Sequence, residues 1–234
     1  MIAALYIEPE GCYANVLGVD AWCEVRDART YAGPYPVVAH PPCQRWGRFW
    51  HGSTRKPHQY KLGDDKGCFT AALDALEHFG GVIEHPCDSH AWRCFGITPP
   101  ARHGGWYHTQ PPSYNRIDGL KAGKTYTRRT GEWWTCYVEQ GHYGHMSRKP
   151  TWLLTQGLTL SQLPDLEWSR GAQRLHPVAL ERYGYEKARR IGMTAMVGGK
   201  DKTRIRNATP PEFRDVLLSI ARKAHARTRC LNES

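Results

Sequence analysis

The chain has 234 residues and a formal net charge of +10 at pH 7, from 32 Lys and Arg against 22 Asp and Glu. That length suits one domain with a sizeable core. The opening Met1–Ile7 has no basic n-region, and no run nears the roughly 18 apolar residues of a membrane helix, so no membrane partner and a cytoplasmic location are expected. Nine Trp, twelve Tyr and eight Cys argue against a disordered chain, where such residues are scarce. The thiols, without an export signal, are expected to be reduced. The positive charge suits a polyanion such as nucleic acid, and equally a simply basic surface.

Ile2–Ile7 is predicted as a buried strand. Pro36–Ala39 is a second one, ended by His40, Pro41 and Pro42. Asp64 and Asp65 offer N-caps for a helix over about 65–79. Phe69, Ala72, Leu73 and Leu76 lie there at helical spacing, and Gly80 and Gly81 stop it. Val82–Ile83 is a short strand ended by Glu84, His85 and Pro86. Segment 98–131 is rich in Gly, Pro, Thr, Arg and Lys and reads as a long loop or insertion. Trp133–Val138 and Thr151–Leu154 are further strands, and His176–Arg190 is a weak helix interrupted at Gly184. Thr209-Pro210-Pro211-Glu212 reads as a capping box with Pro at the first helical position. Phe213, Val216, Leu217 and Ile220 form the apolar face of the helix it opens. Apolar runs alternating with helical patterns predict a single α/β domain over 1–234 with a mostly parallel, Rossmann-like sheet.

Strand 36–39, helix and strand 81–84 have the length of one right-handed crossover. The two strands should then be parallel neighbours about 4.8 Å apart. In open α/β sheets, ligands bind at the carboxyl ends of strands. Cys43 follows the first strand and Glu84 closes the second, so a thiol and a carboxylate should share one crevice. Pro41 and Pro42 make a rigid turn before Cys43, and the nearby Arg45 and Arg48 favour a thiolate. Taken singly, Cys43 reads as a small buried residue and Glu84 as a cap or ion-pair partner; their pairing on matched strand ends points to chemistry.

Pro41-Pro42-Cys43-Gln44 resembles the catalytic Pro-Cys-Gln loop of DNA (cytosine-5)-methyltransferases. Glu84-His85-Pro86 resembles their Glu-Asn-Val or Glu-Asn-Pro motif one strand later. Gln140–Lys149 is similar to their Tyr-Gly-x-Pro-Gln-x-Arg-x-Arg segment, and Asn207-Ala208-Thr209-Pro210-Pro211 to their last motif before a C-terminal helix. The four occur in the family's order, and the likeness is to short, divergent members of the phage and mobile-element type. The resemblance implies a class I methyltransferase sheet. It also implies that the Cys43 thiolate adds to carbon 6 of a pyrimidine, Glu84, as a carboxylic acid, holds and protonates ring nitrogen 3, and Arg148 helps hold the base and the carboxylate. Carbon 5 then takes a methyl group from S-adenosylmethionine. The target base must flip out of a duplex or be single-stranded.

The resemblance is thinnest at the amino terminus. The family's Phe-x-Gly-x-Gly loop is replaced by Ile7–Tyr13, and the stretch from Gly11 to Cys43 is short, so the amino-terminal half is expected to lack a strand–helix unit. Glu10, Gly11, Asp20, Asp27 and Asn207 are the candidate donor contacts, with Asp27 equally readable as a surface ion pair. Gln44, Arg45, Arg48, Lys124, Arg128 and Arg129 are the candidate DNA contacts. Residues 156–200 form a small candidate target-recognition region. His142 and His145 read as proton shuttles, phosphate contacts or ordinary loop residues. Two rivals stand beside this reading: another carbon-5 modification, such as a hydroxymethylation with a different donor or on a free nucleotide, and a degenerate, non-catalytic nucleic-acid-binding module. His85, Cys87, His90 and Cys94 crowd one stretch near His103, but no Cys-x-x-Cys occurs and no metal is expected.

Overall fold

The structure is a computed structural model that describes residues 1–52, 60–113, 131–171, 175, 177–191 and 204–232, without the side chains of 191 and 225–232. Its centre is a seven-stranded sheet. The strands are β1 (Ile2–Leu5), β2 (Val19–Trp22), β3 (Val37–Ala39), β4 (Gly81–Pro86), β5 (Trp106–Thr109), β6 (Trp133–Glu139) and β7 (Pro150–Gln156). They lie in the order β2-β1-β3-β4-β7-β6-β5.

The expected crossover is present. β1 pairs in parallel with β2 and β3, and β3 in parallel with β4. The other half of the sheet corrects the expectation of a mostly parallel one: β7 is antiparallel to β4 and to β6, and β5 is antiparallel to β6. The cause is connection length. Parallel neighbours need a crossover of about a dozen residues or more. Only a short 3-10 turn around Gln140–Tyr143 and a brief loop separate β6 from β7, so that pair folds back on itself.

Side chains alternate across the parallel strands with period two. Ala3, Leu5, Val37, Ala39 and Ile83 face one way and pack with Phe69, Leu73 and Leu76 of α1 (Cys68–Phe79) and Trp92 of α2 (His90–Cys94). Ile2, Ala4, Val38 and Val82 face the other way and meet Phe213, Leu217 and Ile220 of α4 (Pro211–Asn232). The result is three layers, helix on sheet on helix. α1 begins at Cys68, later than expected, because Gly67 holds the cap in the left-handed region. Asp65 nevertheless serves the helix start, accepting from the amides of Gly67 (2.9 Å) and Phe69 (2.8 Å). Gly81 has φ +125°, and a Cβ there would lie 2.0 Å from the Val37 carbonyl oxygen, so only glycine lets β3 and β4 approach.

Some elements differ from the sequence reading. β1 stops at Leu5, and β2 stands where a missing unit was expected; turns alone, not a helix, join the two. The 98–131 segment contains β5, an edge strand, and its part over 114–130 lies outside the described residues. Within 156–200, Leu158, Leu163 and Leu166 are buried against the α4 face of the sheet. α3 (Pro177–Ile191) breaks at Gly184 (φ 69°, ψ 164°), where the sequence placed the interruption. α4 starts at Pro211, so Thr209 stands ahead of the cap position and forms no capping box. No helix among the described residues is long and apolar enough to cross a membrane.

Candidate active site

The chain leaves β1 for β2 on one side and resumes at β3 on the other. This makes a topological switch point between β1 and β3, the place where open α/β sheets hold ligands. A cleft of about 1260 Å³ opens there. Its floor is the carboxyl ends of β1, β3 and β4. Its walls are the loop after Cys43, residues 147–150 before β7, and residues 204–209 before α4.

Ala39 lies opposite Ile83 in the β3–β4 register, so His40 stands beside Glu84 and Cys43 follows just beyond the sheet edge. Cys43 and Glu84 both line the cleft, as the crossover argument required. The Cys43 turn is tightly built. The Cys43 carbonyl accepts from the amides of Trp46 (3.0 Å) and Gly47 (2.8 Å). Trp46 is buried between Phe69 and Phe95. Its indole donates to Asp65 Oδ2 at 2.7 Å, and its carbonyl accepts from the His90 amide at 2.8 Å. The Cys43 turn is therefore bolted to the start of α1 and to α2.

Glu84 is buried and fully engaged. Oε2 lies 2.9 Å from His40 Nδ1. Oε1 accepts from Gln140 Nε2 at 2.9 Å, and the Thr151 hydroxyl lies 3.4 Å from it. Burial alone would push the carboxyl upward, but the His40 hydrogen bond and the nearby Lys149 charge prevail and hold it at about 2. Glu84 is thus an anion at neutral pH, where the resemblance implied a carboxylic acid; the donors around it hold the proton off. Cys43 moves the other way: burial raises its pKa, the negative Glu84 adds to this, and Arg206 and Lys149 only partly oppose it. The resting pair is a thiol beside a carboxylate.

Lys149 anchors one wall. Its Nζ donates to the carbonyls of Asn207 (3.1 Å) and Ala208 (2.8 Å), clamping the 204–209 segment over the cleft. Burial lowers its pKa, and the charges of Glu84 and Cys43 counteract that. Arg148 also lines the cleft, and its Nε is buried with no hydrogen-bond partner among the described residues. A buried, unmatched donor costs free energy until a ligand accepts from it.

The remaining candidates divide. Glu10, Gly11, Asn207, Gln44, Arg45 and Arg48 line the cleft. Arg45 lies over the Tyr60 ring at 3.5 Å. Asp20 and Asp27 do not line it. Asp20 is held inside β2 by Arg26 and by the Trp22 indole at 2.8 Å. Asp27 pairs with Arg29 at 2.7 Å through both oxygens, the ion-pair alternative. Lys124, Arg128 and Arg129 lie outside the described residues. His142 and His145 serve structure: His142 Nε2 meets the Ser169 carbonyl (2.9 Å), while His145 Nδ1 accepts from the Ser147 amide and Nε2 donates to the Ile205 carbonyl (both 3.0 Å). His85 is fully buried, stacked on Trp92. Among the described residues no group of three or more His, Cys, Asp or Glu side chains is placed to hold a metal.

Sequence reasoning did not single out several residues of the cleft. His40 and Tyr13 also line it, as does Glu24, just past β2. Arg206 belongs to the wall, and Phe49 stands 73% exposed on the rim. His40 directly precedes Pro41 and so carried a positional signal. The others become visible only when the strand order is known. Comparisons with family models, curated proteins and solved structures find no match to this chain.

Proposed function

We propose that the protein modifies carbon 5 of a pyrimidine in DNA, cytosine foremost, through a covalent bond between Cys43 Sγ and carbon 6, with S-adenosylmethionine as methyl donor. The observation that carries this reading is the sharing of one cleft by a thiol on a rigid turn and a buried carboxylate, Glu84. Addition of sulfur to carbon 6 requires the Cys43 proton to leave, and the electron pair driven toward ring nitrogen 3 requires a proton to arrive there. Glu84, held at about 2, is a weak base toward the Cys43 thiol, so bound substrate must raise its pKa before it takes the first proton and supplies the second. One proton moves from Sγ to nitrogen 3, and no outside acid is needed. The Arg148 Nε–H, without a partner among the described residues, then finds an acceptor in the pyrimidine carbonyl oxygen. With carbon 6 saturated, carbon 5 is an enamine carbon and attacks an electrophile. Loss of the carbon-5 proton and departure of Cys43 restore the aromatic ring.

The donor side fits a positively charged nucleoside. Glu8, Glu10 and Glu24 face the cleft after β1 and β2. Glu24, rather than Asp20 or Asp27, occupies the end of the second strand, where an acidic residue meets a ribose hydroxyl in dinucleotide folds. Bound there, S-adenosylmethionine supplies an electrophilic methyl group. On the opposite side Arg45, Arg48, Arg204 and Arg206 surround the mouth, and Phe49 offers an exposed ring. Cations with an aromatic platform suit a polynucleotide with one base turned out.

The test is covalent trapping on a DNA duplex carrying 5-fluorocytosine, with methyl-labelled S-adenosylmethionine. Fluorine blocks the final elimination. A labelled adduct in wild type that is lost in Cys43→Ala is the expected result. An unlabelled, Cys43-dependent adduct refutes the donor and keeps the nucleophile. Absence of any adduct on DNA, with or without one on 5-fluorodeoxycytidine monophosphate, refutes the DNA reading.

A further inference from the structure

We infer that His40, held by Tyr13, is a positioning residue for Glu84: the chain Tyr13–His40–Glu84 sets the orientation of the carboxylate at the floor of the cleft. His40 Nδ1 lies 2.9 Å from Glu84 Oε2, and His40 Nε2 lies 2.9 Å from the Tyr13 hydroxyl. The Tyr13 ring packs against the imidazole at 5.3 Å between centroids. Tyr13 is 3% exposed, and among the described residues its hydroxyl has no other partner. A buried hydroxyl donates where an acceptor is available, so Tyr13 O–H points at Nε2. That leaves Nδ1 to carry the imidazole proton, which it donates to Glu84. The three groups thus fit one tautomer, read from the network of donors and acceptors.

The consequence for Glu84 is twofold. Its Oε2 is pinned by His40 from the β3 side while the Gln140 amide holds Oε1 from the β7 side, which fixes the carboxyl plane; the Thr151 hydroxyl, 3.4 Å from Oε1, donates to the nearer Lys149 carbonyl at 3.0 Å. Its anionic form is also favoured, because His40 and Gln140 both donate to it. The groups facing it are His40 and Cys43 after β3, Tyr13 after β1, His85 on its own strand, and His145 and Lys149 before β7. Of these, His40 is the first that lowers the Glu84 pKa, ahead of Lys149. The catalytic meaning rests on the proposed role of Glu84 as the proton carrier between Cys43 and the pyrimidine; the positioning does not.

Two measurements separate them. The first follows the Glu84 carboxyl carbon and the His40 ring nitrogens by NMR. In wild type the Glu84 signal stays that of a carboxylate down to about pH 3, and Nδ1 is the protonated nitrogen. His40→Leu moves the Glu84 midpoint up by at least about one pH unit. His40→Asn, whose amide nitrogen overlays Nδ1, reverses most of that rise, and Tyr13→Phe gives mixed tautomers. An unmoved Glu84 midpoint in His40→Leu, or a wild-type imidazole protonated at Nε2, overturns the inference. The second measures adduct formation on 5-fluorocytosine DNA against pH. Glu84 must be ionised to take the Cys43 proton, so His40→Leu loses rate on the acid side at a higher pH than wild type, with His40→Asn in between. A shifted titration with no wild-type adduct refutes the pyrimidine reading and leaves the positioning intact. A normal adduct profile with an unshifted titration does the reverse.

Discussion

Replacing Glu84 with Gln tests the central electrostatic feature through stability alone. The carboxyl is carried from its usual 4.5 to about 2 in the folded chain. One pKa unit corresponds to about 1.4 kcal/mol, so the folded state gains on the order of 3 kcal/mol from ionised Glu84 at neutral pH. Glu84 is 7% exposed, so little of this is lost to solvent screening. The folded pKa is depressed, and the contribution is therefore complete above pH 4.5 and fades as pH falls toward 2. Gln at this position has no charge to lose. Urea unfolding followed by tryptophan fluorescence, at steps from pH 7 to 2.5, gives the difference between wild type and Glu84→Gln. Wild type should lead by a few kcal/mol near neutrality, and the lead should shrink steadily below pH 4.5. A difference that stays constant over the whole range would mean that His40, Gln140 and the Lys149 charge do not favour the anion, and would refute the depressed Glu84 pKa.

Two further variants probe what surrounds the pair. His85 is wholly buried, and burial holds it down at about 4 against a usual 6.5, with the Glu84 charge and the Pro41 backbone opposing only in part. Its neutral form adds stability that is complete above pH 6.5 and lost as pH falls toward 4. His85→Phe keeps the ring between Phe69 and Trp92, so it should fold as stably as wild type at pH 7 and lack that acid-side slope in the same urea series; a slope equal to wild type counts against the burial argument. Asp65→Ala leaves the Trp46 indole and the Gly67 and Phe69 amides without their acceptor. A stability loss of about 1–3 kcal/mol is expected, with faster amide exchange at Trp46 and Gly47. Unchanged exchange there would show that Asp65 does not hold the Cys43 turn.

The parallel half of the sheet was legible because its signals are local. Val37–Ala39 and the start of β4 are short apolar runs bounded by Pro and Gly, and α1 between them has clear helical spacing. That was enough to place Cys43 and Glu84 in one crevice. β2 was missed because Val19-Asp20-Ala21-Trp22 is an edge strand, half-buried throughout, with an acid in its middle. β5 was missed for a similar reason: Trp106–Thr109 sits at the far edge, paired on one side only. Asp20 and Asp27 do not line the cleft whereas Glu24 does, a distinction that needs the position of the end of β2. His40 was taken as punctuation after a strand. Its role depends on the register of β3 against β4, which no local pattern encodes.

The antiparallel half explains why the cleft has the charges it does. Were β7 parallel to β4, its start would lie at the amino edge of the sheet, far from Cys43. Because it runs the other way, Thr151 pairs with Pro86, and the residues that open β7 arrive at the carboxyl end of β4. β6 is antiparallel to β7 in turn, so it finishes at that same edge, where Gln140 donates to Glu84. The β6–β7 turn thus brings an amide to the carboxylate and Arg148 and Lys149 to the cleft in a single fold-back. An anion desolvated at the end of β4 is costly unless donors and cations meet it. The reversal of strand direction is how this chain supplies them, and it does so without covering the lip where Cys43 stands.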